Sequence, residues 1–226
     1  MAIQSRTWLS ERVPPLWHAY YRLRYTILFY ALLLFLLIMP LVTALGLPGI
    51  LIRLHVGACL VAGVMPSATR RTWRWIFAAV SLLVLAQILP ERGEFPAAPA
   101  FVLGVTALTL LGAASGALRF AITRDTVTSE TVYAALSAYL LAGISFGQIY
   151  WLTENLHPGS LTGPDPFTEA NAVYYSFVTL ATLGYGDFLP RTAITRGIAA
   201  FEVIGGQLFL AVLVARLIGV FGSKKA

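Results

Sequence analysis

The chain has 226 residues, of which 58% are hydrophobic and only 12% are charged. This apolar share exceeds what the core of a water-soluble domain needs, and the charged share lies well below the usual globular value. The net charge of +6 comes from Lys and Arg residues between apolar runs, which argues against a nucleic-acid-binding face. The composition therefore indicates an integral membrane protein and excludes an ordinary soluble domain.

Residues 1–25 form an N-terminal segment that differs in composition from the rest of the chain. Arg residues are mixed with Trp and Tyr there, and Pro14-Pro15 interrupts the stretch. This mixture is typical of a helix lying at the membrane interface, and a disordered tail leading into the first span is the alternative. The segment lacks a short apolar stretch followed by a small-residue cleavage site, so we expect no signal peptide to be removed.

Six nearly continuous apolar runs are each long enough, or almost so, to cross a bilayer. The runs cover residues 26–45, 47–65, 75–89, 97–118, 131–152 and 197–222. The second run is the weakest because it contains Arg53 and His55. Short loops join the first four runs, so residues 26–125 predict a four-helix transmembrane bundle, followed by a second unit at residues 126–226. The predicted fold is an all-α integral membrane protein with six transmembrane helices.

The basic residues indicate how the spans are oriented. With the N-terminus inside, all but four of the 16 Lys and Arg residues lie in cytoplasmic segments. The external ones are Arg53, Arg92, Arg191 and Arg196. This bias agrees with an even number of spans and predicts a multi-pass protein of the cell membrane with both termini in the cytoplasm.

The longest segment outside the apolar runs covers residues 153–196, between the last two spans. It starts with a turn-rich stretch at residues 155–166, where no regular structure is expected. Thr168 then suits a helix N-cap and Glu169 the positive end of a helix, and residues 170–181 are mainly apolar. A helix of this length rises about 18 Å, roughly half a bilayer, which predicts a re-entrant helix and loop.

The predicted re-entrant helix leads into the sequence Thr182-Leu183-Gly184-Tyr185-Gly186-Asp187. This stretch resembles the signature of the tetrameric potassium channel family, T-x-G-Y-G usually followed by Asp, with Leu183 in place of the commoner valine. A dehydrated potassium ion needs rings of oxygen atoms, and backbone carbonyls supply them when successive ones point toward one axis. Gly184 and Gly186 can adopt positive φ at little steric cost, which allows the usual alternation of carbonyl directions to be broken.

The resemblance implies that the carbonyl oxygens of Thr182, Leu183, Gly184 and Tyr185 bind potassium ions, with Gly186 completing the selectivity filter. Each chain has one such loop whereas the ring needs four, so a homotetramer is expected. The implied protein is a potassium-selective channel of the lipid bilayer, without enzymatic activity and with no cofactor besides permeant potassium ions. A non-selective cation channel and a subunit of a potassium-uptake transporter are the alternatives.

The same resemblance assigns supporting roles around the filter. Tyr174 and Tyr175 fall where the family often places paired aromatic residues that brace the filter tyrosine, here Tyr185; an interfacial aromatic belt is the alternative. Val178 stands where many bacterial members carry a glutamate that pairs with the aspartate after the filter. Asp187 is therefore expected to find another partner or to face water at an outer mouth that Glu154, Asp165 and Glu169 make acidic. A solvated loop without effect on conductance is the alternative.

Two features of the last span are candidate functional positions. Gly205-Gly206 lies near the hinge glycine of the family's inner helix, and a close helix–helix contact is the alternative. Glu202 is an ionisable residue within a membrane span and hence a functional candidate. We expect it to form a buried hydrogen bond to the re-entrant helix, at Ser176 or Thr179, rather than an ion site.

The six-span layout matches that of voltage-gated channels, but the charges of a voltage sensor are missing. The fourth apolar run, residues 97–118, contains no charged residue, and Arg119 and Arg124 lie at its cytoplasmic edge. Voltage sensing needs several basic residues within this span. We therefore predict weak voltage dependence. The chain ends shortly after the last span, so we expect no cytoplasmic ligand-binding domain after it.

Overall fold

The computed structural model describes residues 15–45, 57, 97–124 and 126–223. The described part is almost entirely helical. Its elements are α1 (Pro15–Ala44), α2 (Ala97–Thr123), α3 (Ser129–Leu156), β1 (Leu161–Thr162), α4 (Glu169–Leu180), β2 (Leu189–Pro190) and α5 (Ala193–Ser223). The predicted spans at residues 47–65 and 75–89 lie outside the described residues, apart from residue 57, as does the N-terminal part of segment 1–25 before Pro15.

Four of the described helices are long and apolar enough to cross a membrane. The candidate spans are Arg22–Val42, Ala100–Thr123, Ser129–Leu156 and Ala193–Arg216. They coincide with the first, fourth, fifth and sixth predicted runs. The prediction of helices long and apolar enough to span a membrane is thus confirmed for these four runs.

Helix α1 bends at its entry into the first span. Leu23 leaves the helical conformation (φ −119°, ψ 16°), so backbone N–H groups just after it lose their intrahelical partners. The carboxylate of Glu130, in the first turn of α3, accepts hydrogen bonds from the N–H of Tyr25 at 3.0 Å and of Thr26 at 3.2 Å. The acid thereby caps the second part of α1 and ties it to α3.

Helices α2 and α3 form an antiparallel pair because the connection between Thr123 and Ser129 is very short. Thr128 ends this connection with a capping box, in which its side chain and that of Thr131 each accept a backbone hydrogen bond. The facing surfaces are lined by small residues, which allow close approach of helices within a membrane. The buried alanines include Ala113, Ala114, Ala117 and Ala121 on α2 and Ala134, Ala135 and Ala138 on α3.

The segment after α3 contains a short ribbon that the sequence analysis did not predict. Leu161 and Thr162 pair antiparallel with Pro190 and Leu189, so the prediction of no regular structure over residues 155–166 is wrong at this point. The carbonyl of Ser160 also accepts the backbone N–H of Arg191 at 2.8 Å. The partner strand, β2, comes after the filter sequence at residues 182–186. Local turn propensity therefore cannot reveal that the two strands pair. The ribbon joins the two ends of the segment that carries α4.

Candidate functional site

The predicted short helix before the filter sequence is present as α4, with twelve residues. Its N-cap is Thr168, whose hydroxyl accepts the backbone N–H of Asn171 at 3.2 Å. Glu169 lies in the first turn, where its carboxylate suits the positive helix end and accepts a hydrogen bond from the Gln148 amide at 2.8 Å. The local sequence thus determines where α4 begins, and α3 fixes the position of that end.

Two glycines of α3 bring α4 unusually close. A Cβ atom on Gly147 would lie 2.8 Å from the Cα of Val173, and one on Gly143 would lie 2.6 Å from the Phe177 ring. Real Cβ contacts are essentially never that short, so at Gly147 only glycine fits unless the backbone of α4 moves, whereas at Gly143 the Phe177 ring would have to shift. These two glycines are not among the predicted site residues, although their spacing is the small-xxx-small pattern of closely packed membrane helices.

The C-terminal end of α4 folds back on itself and starts the filter sequence. The N–H of Leu183 donates to the Val178 carbonyl at 2.9 Å, and the N–H of Thr182 donates to the Thr179 carbonyl at 2.9 Å. This pair of bonds defines a Schellman motif, whose first residue after the cap adopts the left-handed conformation. Thr182 occupies that position with φ 59°, which is unusual for a β-branched residue.

Left-handed residues then alternate along the filter sequence. Thr182, Gly184 and Gly186 have φ values of 59°, 55° and 78°, whereas Leu183 and Tyr185 have negative φ. The positive φ expected at the two glycines is therefore present, and Thr182 adds a third such residue. An extended strand points successive carbonyls in opposite directions, and positive φ at every second residue breaks this alternation, as a filter lined by carbonyls requires.

The filter sequence lies on the surface of the single chain. Residues 181–186 are all exposed, including 67% of Tyr185 and 57% of Leu183. The neighbouring α5 also exposes large apolar side chains, among them Phe201 at 70% and Leu208 at 61%. The described residues of one chain therefore do not enclose an ion.

Asp187, directly after the filter, has a specific partner. The Tyr174 hydroxyl donates a hydrogen bond to the Asp187 carboxylate at 2.8 Å. Because Val178 cannot pair with Asp187, a different partner was expected, and Tyr174 is that partner. This hydrogen bond raises the pKa of the Tyr174 phenol above its ordinary value. Within one chain, Tyr174 thus contacts Asp187, whereas the predicted bracing of Tyr185 remains a prediction.

Tyr175 packs into a buried aromatic cluster beside the filter sequence. Its ring packs edge-on against Tyr150 of α3 at a centroid distance of 4.8 Å, and the cluster also contains buried Phe188 and partly buried Phe167. A Cβ atom on Gly163 would lie 2.2 Å from the Phe188 ring, so the loop also packs tightly on this cluster. The cluster holds the backbone on both sides of the filter sequence.

Glu202 of α5 is completely buried and takes part in a polar network. The Tyr150 hydroxyl lies 2.7 Å from Oε2 of Glu202, and the Ser176 hydroxyl lies 2.5 Å from Oε1. The expected hydrogen bond between Glu202 and Ser176 is therefore present. The same Ser176 hydroxyl lies 2.7 Å from the carbonyl oxygen of Gly143. Tyr150 was not recognised as a partner because it is 52 residues away in sequence.

The two adjacent glycines of α5 have different surroundings. A Cβ atom on Gly206 would lie 2.6 Å from the carbonyl oxygen of Leu180, at the end of α4, whereas one on Gly205 would meet nothing within 4 Å. Gly206 therefore lies at a close contact between α5 and α4, as in the packing alternative to the hinge that the sequence analysis offered for Gly205-Gly206. A hinge at Gly205 remains a prediction.

The acids expected at the outer mouth are used partly for structure. The carboxylate of Glu154 accepts the backbone N–H groups of Gly159 at 2.7 Å and Leu161 at 3.0 Å. These bonds fix the start of the loop before β1. With Glu169 bonded to Gln148, two of the expected mouth acids have partners within the chain. Asp165 lies on an exposed part of the loop.

Comparison with known proteins finds a similarity in this part of the chain. Residues 126–222 match the model of the family described as "Ion channel". The C-terminal part of the chain, with α3, α4, the predicted filter sequence and α5, is therefore similar to this family of ion channels.

Three curated proteins with sequences similar to part of this chain are named as potassium channels. Two-pore potassium channel 2 of Arabidopsis thaliana is 31% identical over 91 residues, which cover 40% of this chain and 20% of the relative. Two-pore potassium channel 3 of the same plant is 30% identical over 94 residues, covering 41% and 21%. A protein of Rhodopseudomonas palustris named as a potassium channel is 37% identical over 61 residues, covering 26% and 15%. The chain thus spans only about a fifth of the plant relatives' length. No solved structure matches.

Proposed function

We propose that four copies of this chain form a potassium-selective channel in the cell membrane, with the backbone of Thr182, Leu183, Gly184 and Tyr185 as the ion-binding site. The observation that carries the proposal is the alternation of positive and negative φ along the backbone from Thr182 to Gly186. Such backbone presents a row of carbonyl oxygens on one side, and four rows around an axis replace the water shell of a potassium ion.

The unusual conformation of Thr182 supports a functional reading of this backbone. A left-handed residue other than glycine costs about 1–2 kcal/mol and is found mainly where function requires it. The Thr182 hydroxyl then adds an inner ring of oxygens below the carbonyls in the proposed tetramer. The C-terminal end of α4 carries a partial negative charge, which favours a cation beside it.

The surface of the single chain supports assembly into a tetramer. The filter sequence and the large apolar residues of α5 are exposed in one chain, whereas a carbonyl ring needs several chains to close it. Four equivalent chains around an axis form the closed symmetric arrangement that fits a fourfold ring. Each chain also contains the two spans that the sequence predicts at residues 47–65 and 75–89. The proposed subunit thus has six spans, with both termini in the cytoplasm.

Potassium selectivity, rather than general cation conduction, is favoured by Tyr185 and Gly186. These two residues complete the filter signature, and members of the potassium channel family that conduct cations non-selectively usually lack one of them. The relatives from A. thaliana and R. palustris carry potassium channel names, which agrees with this choice. A transporter subunit is disfavoured because such proteins carry four degenerate filters in one polypeptide.

Gating by voltage is expected to be weak. Arg119 is the only charged residue of α2 and lies near its cytoplasmic end. One elementary charge moved across the membrane is worth about 2.3 kcal/mol per 100 mV, and steep gating uses several per subunit. Helix α2 offers no such set of charges within the membrane.

The proposal is tested by ion flux into liposomes that contain the purified full chain. We expect uptake of potassium and rubidium, little uptake of sodium, and block by barium. Gly184→Ala, which places a Cβ at φ 55°, should abolish the selectivity for potassium over sodium. Gly159→Ala is the matched control, because Gly159 has φ 84°, equally free space and no place in the filter. Equal potassium and sodium uptake by the wild type would instead establish a non-selective channel.

A further inference from the structure

The buried network around Glu202 contains three contacts between oxygen atoms. Glu202 Oε2 lies 2.7 Å from the Tyr150 hydroxyl, Glu202 Oε1 lies 2.5 Å from the Ser176 hydroxyl, and that hydroxyl lies 2.7 Å from the Gly143 carbonyl oxygen. Oxygen atoms at these distances are held together only when a proton lies between them. The network therefore needs three protons.

The side chains around Glu202 supply only two of these protons. Tyr150 and Ser176 contribute one hydroxyl proton each, and the Gly143 carbonyl is an acceptor only. If Glu202 were ionised, one of the three contacts would join two oxygens without a proton between them. If Glu202 is a neutral carboxylic acid, it donates to Ser176, Ser176 donates to Gly143, and Tyr150 donates to Glu202.

The surroundings of Glu202 do not favour a buried charge. The side chain is completely buried, and within the described part of the chain no Lys, Arg or His contacts it. The titratable groups that face it there are tyrosines, Tyr139 and Tyr150 on α3 and Tyr175 on α4. An unpaired carboxylate in such a site is far more costly than a neutral acid with satisfied hydrogen bonds.

We propose that Glu202 is a neutral carboxylic acid at neutral pH and that its donated hydrogen bond positions α4, the helix that leads into the filter sequence. Glu202 lies on α5, Ser176 on α4, and both Gly143 and Tyr150 on α3, so the three bonds join the helices that surround the filter sequence. Because α4 leads directly into Thr182, Glu202 is a positioning residue that acts through α4. The positioning role rests on the proposed channel function, whereas the protonation does not.

Infrared spectroscopy of the purified full chain tests the protonation without any need for ion flux. The wild type should show the C=O stretching band of a protonated carboxyl group at neutral pH, and Glu202→Gln should lack it. Asp165→Asn, which changes an exposed loop acid, should leave the band unchanged. A band of equal intensity in the wild type and Glu202→Gln would overturn the proposal, even in a protein that conducts no potassium.

Two substitutions test the positioning role in the liposome assay. Glu202→Gln keeps all three contacts, because its amide donates to Ser176 and its carbonyl accepts from Tyr150, so it should retain potassium selectivity. Glu202→Leu leaves both hydroxyls without this partner and should shift the folding equilibrium by about tenfold or more, with loss of selectivity in the remaining tetramer.

The pH dependence of ion flux shows whether the proton of Glu202 is needed to position α4 or whether the contact is merely structural. Wild-type flux should fall in alkaline buffer as the infrared band is lost, whereas Glu202→Gln flux should not change over the same range. Parallel pH profiles of the wild type and Glu202→Gln would contradict the positioning role. If the wild type conducts no ions while the band behaves as expected, the proposed function fails and the protonation stands.

Discussion

Substitution of the two adjacent glycines of α5 separates a packing role from a hinge role. In Gly206→Ala, the new Cβ would lie 2.6 Å from the Leu180 carbonyl oxygen and 2.9 Å from Leu180 Cδ1. In Gly205→Ala, the new Cβ would meet nothing within 4 Å of the described chain. The two variants have the same chemistry and the same helix, and they differ in the contact with α4.

The expected magnitudes follow from two opposing effects. Alanine favours a helix over glycine by about 1 kcal/mol, and this gain applies at both positions. At Gly206 the opposing contact includes a backbone oxygen, which cannot turn aside as the end of a side chain can. Overpacking of this kind costs about 1–3 kcal/mol, so Gly206→Ala should be less stable than Gly205→Ala by that amount.

Thermal melting of the two purified variants beside the wild type measures this difference. Gly206→Ala should melt several degrees below Gly205→Ala and should have reduced potassium selectivity, because Leu180 lies at the end of α4, next to the filter sequence. If Gly205 is a hinge, Gly205→Ala should change the open probability of single channels without lowering the melting temperature. Equal melting temperatures of the two variants would refute the close contact at Gly206.

Two further substitutions test contacts that hold α4 and the filter sequence. Gly147→Ala places a Cβ 2.8 Å from the Val173 Cα and should lower the melting temperature, whereas Gly112→Ala on α2, with nothing within 4 Å, should not; equal effects would contradict the packing. The hydrogen bond to Asp187 raises the pKa of Tyr174 in the folded protein. The contribution of this bond to the stability of the fold is therefore complete below the ordinary tyrosine pKa and is lost as pH rises through the raised pKa. The melting temperature should therefore fall more steeply in alkaline buffer for the wild type than for Tyr174→Phe, and parallel curves would exclude this contribution.

The sequence predicts the spans and the short helix α4 well because their signals are local. Apolar runs locate four described spans, and Thr168 marks the start of α4 through capping chemistry. Gly184 and Gly186 indicate positive φ because they lack a Cβ. Thr182 carries the opposite signal, since a β-branched residue avoids this conformation. Its φ follows from the hydrogen bonds that close α4, which depend on the fold of the whole loop.

Contacts between helices could not be derived from the sequence because they depend on register and rotation. An acid in the last span indicates a polar partner, and Ser176 was among the expected ones, but Tyr150 requires knowledge of how α3 faces α5. The bond from Tyr174 to Asp187 likewise depends on how the backbone returns after the filter. The β1–β2 ribbon joins segments on opposite sides of α4 for the same reason.

The reversal potential of the purified full chain in a planar bilayer, with potassium on one side and sodium on the other, tests the central claim most directly. A filter made of backbone carbonyls from Thr182 to Tyr185 predicts a reversal potential far from zero, with the sign of a potassium-selective pore. A reversal potential near zero would show that potassium and sodium permeate equally and would contradict the account.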